Sequence, residues 1–239
     1  MYDVEIVMPV YNEAACITEV IHDWVKELDA LGISYRLMVL NDGSRDATAE
    51  ALKMHAGNPR VKVINKSNSG HGPTILQGYR SAVDEASWVF QVDSDNEMEA
   101  KHFKKMWSAR NTCDAVIGVR DGRLQPLSRK IISIISSRIV ILFYGQGVQD
   151  VNCPFRLMKS GVLKLFLDRI PQDTFAPNVA ISGLFALEKK IVANVPIPHH
   201  ARQTGEVSIK KWKLFKAAMI SCVQVVIIRV KIKRYAHAS

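Results

Sequence analysis

The sequence lacks the patterns that identify several classes of protein. Its four cysteines are scattered and form no Cys-x-x-Cys pair, which excludes the usual zinc motifs and a dense disulfide framework. No apolar run reaches the roughly 18 to 20 residues that a membrane-spanning helix needs. Met1 is not followed by the basic segment, apolar segment and small-residue cleavage site of a secretory signal peptide. We therefore expect a protein of the reducing cytoplasm.

A phosphate-binding loop of the ATPase type is also missing. Gly70 and Gly72 flank His71, but no Gly-Lys-Ser/Thr follows them and the spacing is not Gly-x-Gly-x-x-Gly. Residues 68–73 are then either a loop that lets the backbone approach a ligand or a plain turn.

Acidic side chains are scarce in the second half of the chain. The net charge of +9 divides into −5 for residues 1–119 and +14 for residues 120–239. The basic half predicts an anionic partner, such as nucleic acid, a phosphorylated substrate or anionic lipid. Nucleic acid is disfavoured because the aromatic residues do not alternate with the charges as in a base-stacking surface.

The first 95 residues alternate between strand-like and helix-like segments. Strands are expected at residues 5–10, 35–40, 61–64 and 88–92. Helices are expected at residues 14–31, from a cap at Ser44 or Asp46 to Met54, and at about residues 74–85. This order predicts an α/β fold with a mostly parallel sheet, in which ligands bind at the carboxyl ends of the strands.

Carboxylates follow three of these predicted strands, as Glu13, Asp42 and the pair Asp93 and Asp95. Each one alone is as well explained by capping of the next helix. Three such positions at one sheet edge favour a binding site instead. Hard oxygen ligands suit Mg²⁺ or Mn²⁺, which usually bind one or two carboxylates together with substrate phosphate. We predict a metal site at Asp93 and Asp95.

An ordered set of motifs extends through most of the chain, at residues 7–13, 41–46, 93–95, 118–120, 126–133, 150–156 and 202–206. Together they resemble the inverting nucleotide-sugar glycosyltransferases of family 2, and among these the polyprenyl-phosphate, dolichol-phosphate mannose synthase-like enzymes. The resemblance implies a GT-A-type nucleotide-sugar-binding fold. Departures from the family pattern include Pro154 in place of glycine, an extra residue after Glu206 and a short loop between Arg120 and Arg129.

The resemblance also implies roles for individual residues. Asp93, Asp95 and Arg202 would be the catalytic groups, with the metal on the two aspartates. The nucleotide-sugar would contact the residues of the first motifs and Arg202, namely Pro9, Tyr11, Asn12, Glu13, Asp42, Gly43, Gly72, Asp93, Ser94, Asp95 and Arg202. The acceptor phosphate would lie against Arg120, Arg129 and Ser133. Asp150 would be a general base only if the acceptor were a sugar hydroxyl.

Two amphipathic segments are expected at a membrane surface. One is residues 127–144, and the other is residues 210–234, which contain eight basic and no acidic side chains. A core helix with a solvated basic tail is the alternative for the second segment. The domain prediction is a GT-A glycosyltransferase domain at 1–209, with an acceptor-side helix inserted at 126–145, and a basic amphipathic helix and tail at 210–239.

The sequence therefore predicts a glycosyltransferase on the cytoplasmic face of a membrane. It would move one sugar from GDP-mannose or a UDP-hexose to a polyprenyl phosphate with the aid of Mg²⁺ or Mn²⁺, and a membrane-anchoring partner protein is a further expectation. The alternatives are a family 2 enzyme with a saccharide or other acceptor, and a non-catalytic basic module that binds membrane or nucleic acid. For His199 and His200, surface or core roles are favoured over binding a metal as a pair, because neighbours in a strand point to opposite faces.

Overall fold

The computed structural model describes residues 1–121, 127–200 and 211–236, with only the backbone described at 127–133, 211–215, 217–218 and 232–236. The strands are β1 (Tyr2–Val10), β2 (Tyr35–Asp42), β3 (Val61–Lys66), β4 (Ala86–Gln91), β5 (Ala115–Asp121), β6 (Arg156–Lys159) and β7 (Val192–Pro198). The α-helices are α1 (Ile17–Ala30), α2 (Thr48–Lys53), α3 (His71–Ala82), α4 (Phe103–Ala109), α5 (Leu127–Tyr144), α6 (Ser160–Leu167), α7 (Pro177–Leu187) and α8 (Lys211–Ala236).

The strands form one sheet in the order β3-β2-β1-β4-β6-β5-β7. β6 is antiparallel to its neighbours β4 and β5, and the other pairs are parallel. Six strands therefore place their carboxyl ends at one edge, where the amino end of β6 also lies. The prediction of an α/β fold with a mostly parallel sheet is confirmed.

The core lies on both faces of the central strands. Residues 4–10 of β1 are all buried, as expected for a parallel strand covered by helices on both sides. Phe90 of β4 packs against the rings of Trp24, Phe103 and Phe155 at centroid separations of 4.8–5.4 Å. This aromatic cluster fixes the strand that leads to Asp93.

The region around Gly72 differs from the prediction. α3 begins at His71, so residues 71–73 are the first helical turn and neither a phosphate-approaching loop nor a plain turn. Gly70 precedes the helix with a φ of 95°, which favours glycine. A Cβ at Gly72 would lie 2.3 Å from the carbonyl oxygen of Thr174 and 2.4 Å from that of Phe175. Close packing of two backbones therefore requires glycine here.

α5 has the predicted bounds, and α8 packs against it. The Tyr144 hydroxyl donates to the Val225 carbonyl oxygen at 2.6 Å, and Val225 and Ile228 are buried. The Gln224 side-chain oxygen accepts from the Phe175 backbone N–H at 2.8 Å. α8 is thus packed onto the body of the fold. Among the described residues, no helix combines the length and the apolar character needed to cross a membrane.

Candidate functional site

Asp93 and Asp95 lie just beyond β4, in the middle of the sheet. Asp93 Oδ1 is 3.4 Å from Gln91 Nε2 and 3.6 Å from His71 Nε2. Asp95 Oδ1 accepts from the backbone N–H of Glu97 at 3.2 Å. The predicted acidic pair is therefore at the carboxyl end of a central strand, where ligands of α/β sheets bind.

The donor atoms of this pair fit a divalent cation that is bound together with its substrate. Two carboxylates are hard oxygen ligands, and Mg²⁺ or Mn²⁺ sites are usually completed by phosphate oxygens and water. Within the described ranges, no group of three or more His, Cys, Asp or Glu side chains is arranged to hold a metal ion. The remaining ligands would then come from a diphosphate.

Asp42 ends β2 and is almost completely enclosed. Its carboxylate pairs with the Lys66 ammonium and accepts from the backbone N–H groups of Ser69 at 2.8 Å and Gly70 at 2.9 Å. Burial alone would raise the pKa of Asp42, but these hydrogen bonds hold it below its ordinary value. The carboxylate therefore stays ionised and shapes the loop before α3. Sequence reasoning missed Lys66, which lies beside Asp42 in the register of β2 and β3.

The loops after β1 and β2 lock together through hydrogen bonds. The Asn12 backbone N–H donates to Ser44 Oγ at 3.0 Å, and that of Glu13 donates to Thr48 Oγ1 at 2.8 Å. Gly43 has a φ of 65°, and a Cβ there would lie 2.7 Å from the Asn68 backbone nitrogen. The predicted nucleotide-binding residues Asn12, Glu13, Asp42 and Gly43 thus belong to one preorganised edge.

Other predicted nucleotide contacts differ in their exposure. Pro9 is buried inside β1, opposite Leu40, so its place in the structure does not support a direct contact with a ligand. Gly72 has a packing reason for being glycine, and contact with a nucleotide remains a prediction for it. Tyr11 is partly exposed at the sheet edge, whereas Ser94 is buried.

Arg120 lies one residue before the end of β5 and forms a two-pronged pair with Asp150. Its Nε lies 2.7 Å from Asp150 Oδ2 and its Nη2 lies 2.8 Å from Asp150 Oδ1. The side chains are only 9% and 14% exposed. Burial would lower the pKa of Arg120, but the pair with Asp150 raises it above its ordinary value. The predicted acceptor-binding cation is therefore already bound to a carboxylate, which sequence reasoning did not anticipate.

Three other predicted residues cannot be placed. Arg202 belongs to residues 201–210, which lie outside the described residues. Arg129 and Ser133 belong to the part of α5 that is described only by its backbone. Their roles stay predictions.

The two histidines after β7 contact the segment that follows Asp95. His199 Nε2 is 2.9 Å from Glu97 Oε2, and His200 Nε2 is 3.3 Å from Glu99 Oε2. The expectation of opposite strand faces is wrong because β7 ends at Pro198. These contacts join the two residues after β7 to residues 97–99, which follow Asp95.

Arg156 is the first residue of β6 and is fully buried behind this edge. Its guanidinium donates to the carbonyl oxygens of Cys153 at 2.8 Å, Asn178 at 3.1 Å and Val151 at 3.2 Å. Burial lowers the pKa of Arg156 from its ordinary value. The side chain therefore ties the segment after Asp150 to the start of α7.

The sequence model of the Glycosyl transferase family 2 matches residues 5–166, which is more than half of the chain. The chain belongs to this family. Its acidic pair and the interlocked loops of β1 and β2 all lie within the matched region. The predicted family resemblance is confirmed.

Curated relatives match most of this chain. The undecaprenyl-phosphate 4-deoxy-4-formamido-L-arabinose transferase of Edwardsiella ictaluri is 27% identical over 207 residues, covering 85% of this chain and 62% of the relative. The enzyme of the same name from Shewanella sediminis is 28% identical, covering 85% of this chain and 60% of the relative. The chain therefore spans about 60% of the length of these relatives.

A solved structure has a similar fold. Glucosyl-3-phosphoglycerate synthase from Mycobacterium tuberculosis, in complex with Mn²⁺, UDP and phosphoglyceric acid, superposes with a TM-score of 0.69 over 95% of this chain and 78% of that chain. The two sequences are 15% identical. At this identity the likeness shows the fold alone, and the predicted GT-A-type architecture is confirmed.

Proposed function

We propose that this chain is an inverting glycosyltransferase that moves one sugar from a nucleoside-diphosphate sugar to a polyprenyl phosphate at a membrane surface. The main support is one sheet edge that brings together the carboxylates Asp93 and Asp95 and the basic side chain of Arg120. The relatives named as undecaprenyl-phosphate transferases support the same acceptor class.

The donor would lie over the ends of β1, β2 and β4. The bond from the anomeric carbon to the β-phosphate breaks, and the leaving diphosphate gains negative charge. A divalent cation would neutralise this charge, and Asp93 and Asp95 would hold it. Arg202 would be a second contact to the diphosphate, and Glu13 and Asp42 would contact the nucleoside. The Mn²⁺ in the solved complex with UDP supports a divalent cation in this fold.

The acceptor would lie on the side of Arg120, Arg129 and Ser133. The guanidinium of Arg120 has five N–H donors, and the pair with Asp150 uses two of them. These are the hydrogen bonds that the guanidinium makes within the described residues, and its other N–H groups would bind the phosphate. Because a phosphate monoester is already anionic near neutral pH, its oxygen can attack the anomeric carbon without a general base.

The Asp150 pair also favours a phosphate acceptor over a saccharide. A sugar hydroxyl needs a base that removes its proton, and Asp150 was the candidate for that role. Both oxygens of Asp150 accept hydrogen bonds from Arg120, so proton removal by Asp150 would break a buried ion pair. A phosphate acceptor makes no such demand.

The surface of α5 and α8 supports docking on a membrane. These helices contain ten of the fifteen exposed large hydrophobic side chains among the described residues, namely Ile134, Ile135, Ile141, Leu142, Phe143, Met219, Ile220, Val223, Ile227 and Val230. Exposed basic side chains accompany them at Arg138, Lys216 and Lys231. Apolar side chains among basic ones are typical of helices that lie in the interface of an anionic membrane.

The test is release of nucleoside diphosphate by the full chain. GDP-mannose and several UDP-hexoses would each be supplied with undecaprenyl or dolichyl phosphate in vesicles, with Mg²⁺, with Mn²⁺ or with a chelator. We expect metal-dependent release with one donor, and only when the lipid phosphate is present. Release only with a free saccharide would support the alternative acceptor. Vesicle binding without any release would support the non-catalytic module, and turnover that needs added membrane extract would support an anchoring partner.

A further inference from the structure

A buried chain of hydrogen-bonding side chains leads away from Asp93. Gln91 Nε2 is 3.4 Å from Asp93 Oδ1, the Tyr79 hydroxyl is 2.5 Å from Gln91 Oε1, and the same hydroxyl is 3.2 Å from the side-chain amide of Asn178. Gln91 and Tyr79 are completely buried, and Asn178 is 4% exposed. We propose that Gln91, Tyr79 and Asn178 are positioning residues that set the orientation of the Asp93 carboxylate. The inference rests on the proposed function, which assigns Asp93 to the metal.

The donors and acceptors of these three buried side chains allow two arrangements of hydrogen bonds. Tyr79 has a single hydroxyl proton and two amide neighbours, so it donates to one of them and accepts from the other. In the first arrangement Asn178 donates to Tyr79, Tyr79 donates to Gln91, and the Gln91 NH₂ faces Asp93. In the second arrangement both amides are rotated, and the Gln91 carbonyl oxygen faces Asp93. The oxygen and the NH₂ group of a side-chain amide have nearly the same shape, so they are assigned from the hydrogen bonds around them.

The charge of Asp93 selects the first arrangement. A carboxylate facing the Gln91 carbonyl oxygen would be repelled, whereas the Gln91 NH₂ is a hydrogen-bond donor. The 2.5 Å contact between Tyr79 and Gln91 takes the phenolic proton, as this arrangement requires. Burial also raises the pKa of Tyr79, so the phenol keeps this proton. Asn178 must then turn its NH₂ group toward Tyr79.

Arg156 holds the far end of this buried chain in place. Its Nη1 donates to the Asn178 carbonyl oxygen at 3.1 Å in the first turn of α7, while Nε donates to Cys153 at 2.8 Å. The three positioning residues come from α3, β4 and α7, which pack together at this point. Asp93 Oδ1 is thereby held toward Gln91 at 3.4 Å, and Oδ2 would be the oxygen that binds the cation. Carboxylates that bind metals are commonly oriented by such outer hydrogen bonds.

The first test removes only the phenolic oxygen. In the full-length protein, Tyr79→Phe should weaken the affinity for the Mn²⁺ complex of UDP or GDP about tenfold, as measured by calorimetry. Affinity for the metal-free nucleotide should change less than twofold. The matched control is Tyr35→Phe, which removes a partly buried hydroxyl that lies 2.6 Å from Asp29 Oδ1, away from the site. It should lower the melting temperature without changing Mn²⁺ affinity.

The second test reverses the buried chain from its far end. In Asn178→Asp the new side chain only accepts hydrogen bonds, so Tyr79 must donate to it, and the Gln91 amide is left free to rotate. We expect weaker Mn²⁺-nucleotide binding, by about tenfold. Simple electrostatics predicts the opposite sign, because an added negative charge attracts the cation. This variant also decides the question if Tyr79→Phe does not fold.

Two outcomes would overturn the positioning role. One is Mn²⁺ affinity within twofold of wild type in both variants, with only stability reduced. The other is tighter Mn²⁺ binding by Asn178→Asp. Failure of the proposed function would look different, because wild-type protein would then bind Mn²⁺ and nucleotide without transferring a sugar. A wild-type protein that binds no Mn²⁺ with either nucleotide would overturn the metal assignment and the inference together.

Discussion

We call the ends of β1, β2 and β4, with Glu13, Asp42, Asp93 and Asp95, the donor edge. This edge and the face formed by α5 and α8 differ in whether their side chains have partners within the protein. At the donor edge, the Asp42 carboxylate and the Glu13 backbone N–H lie in a tight set of hydrogen bonds between loops. On α5 and α8, large apolar side chains such as Leu142, which is 77% exposed, face outward. The donor edge is thus preorganised by the fold, whereas the helix face is completed by the membrane that we propose.

The largest expected effect concerns the donor edge. Replacing Asp95 with Ala should lower metal-dependent turnover by about 10²- to 10³-fold, because a carboxylate that holds the charge-neutralising cation is lost. Release of nucleoside diphosphate is the measurement. Asp84→Ala is the control, since Asp84 is an exposed carboxylate that pairs with Lys164. Retained activity in Asp95→Ala would remove Asp95 from the metal site.

The next effect concerns the border between the two regions, where Arg120 pairs with Asp150. Asp150→Ala should reduce the free energy of unfolding by about 3 kcal/mol, because it leaves a mostly buried guanidinium without its partner. The double variant Arg120→Met with Asp150→Leu should lose much less. Urea denaturation measures both.

The exposed pair of Asp84 with Lys164 provides the comparison for this prediction. Its side chains are 64% and 56% exposed, and Asp84→Ala should change the free energy of unfolding by less than about 1 kcal/mol. Equal losses for the two pairs would show that the Arg120 pair is no more buried in solution than a surface pair.

A smaller effect is expected on the helix face. Leu142→Glu or Val223→Glu should weaken binding to anionic phosphatidylglycerol vesicles about tenfold, because each change places a charge where an apolar side chain would enter the interface. Cosedimentation measures the binding. Leu165→Glu on α6 is the matched control, since Leu165 is equally apolar and 57% exposed. Similar losses in all three variants would mean that no particular face docks.

The smallest effect is a pH dependence from the donor edge. The pKa of Asp42 lies below its ordinary value of 3.8, so its contribution to stability is complete above that value and is lost as the pH falls below it. Wild-type protein should therefore lose stability more steeply than Asp42→Asn as the pH is lowered from 5 to 3. Urea midpoints across this range measure the slopes, and parallel slopes would contradict the assignment.

Local patterns were enough to predict the donor edge. The strand periods and turn residues placed Asp42 and Asp93 at strand ends, because parallel strands bring their carboxyl ends together. The helix at residues 127–144 was also predicted with its bounds. Contacts between distant residues left no such pattern. Asp150 lies 30 positions from Arg120, and Tyr79 lies 99 positions from Asn178, so nothing local in the sequence pairs them.

The short strand β6 shows a second limit of prediction. Its four residues have no alternation long enough to identify a strand, yet they separate β4 from β5 in the sheet. Sequence reasoning therefore found the βα units of the first half but not the strand that joins them to the second half. The surroundings of Arg156 followed from this placement and could not be predicted.

The place of β6 in the sheet also has a consequence for the order of folding. β1 pairs with β2 across about 31 residues, whereas Gln91 of β4 pairs with Arg156 of β6, across 65 residues. Closing the longer loop costs more chain entropy and slows pairing. During synthesis the first three strands can assemble before β6 has left the ribosome. The edge of β4 that later pairs with β6 is then unpaired for a time.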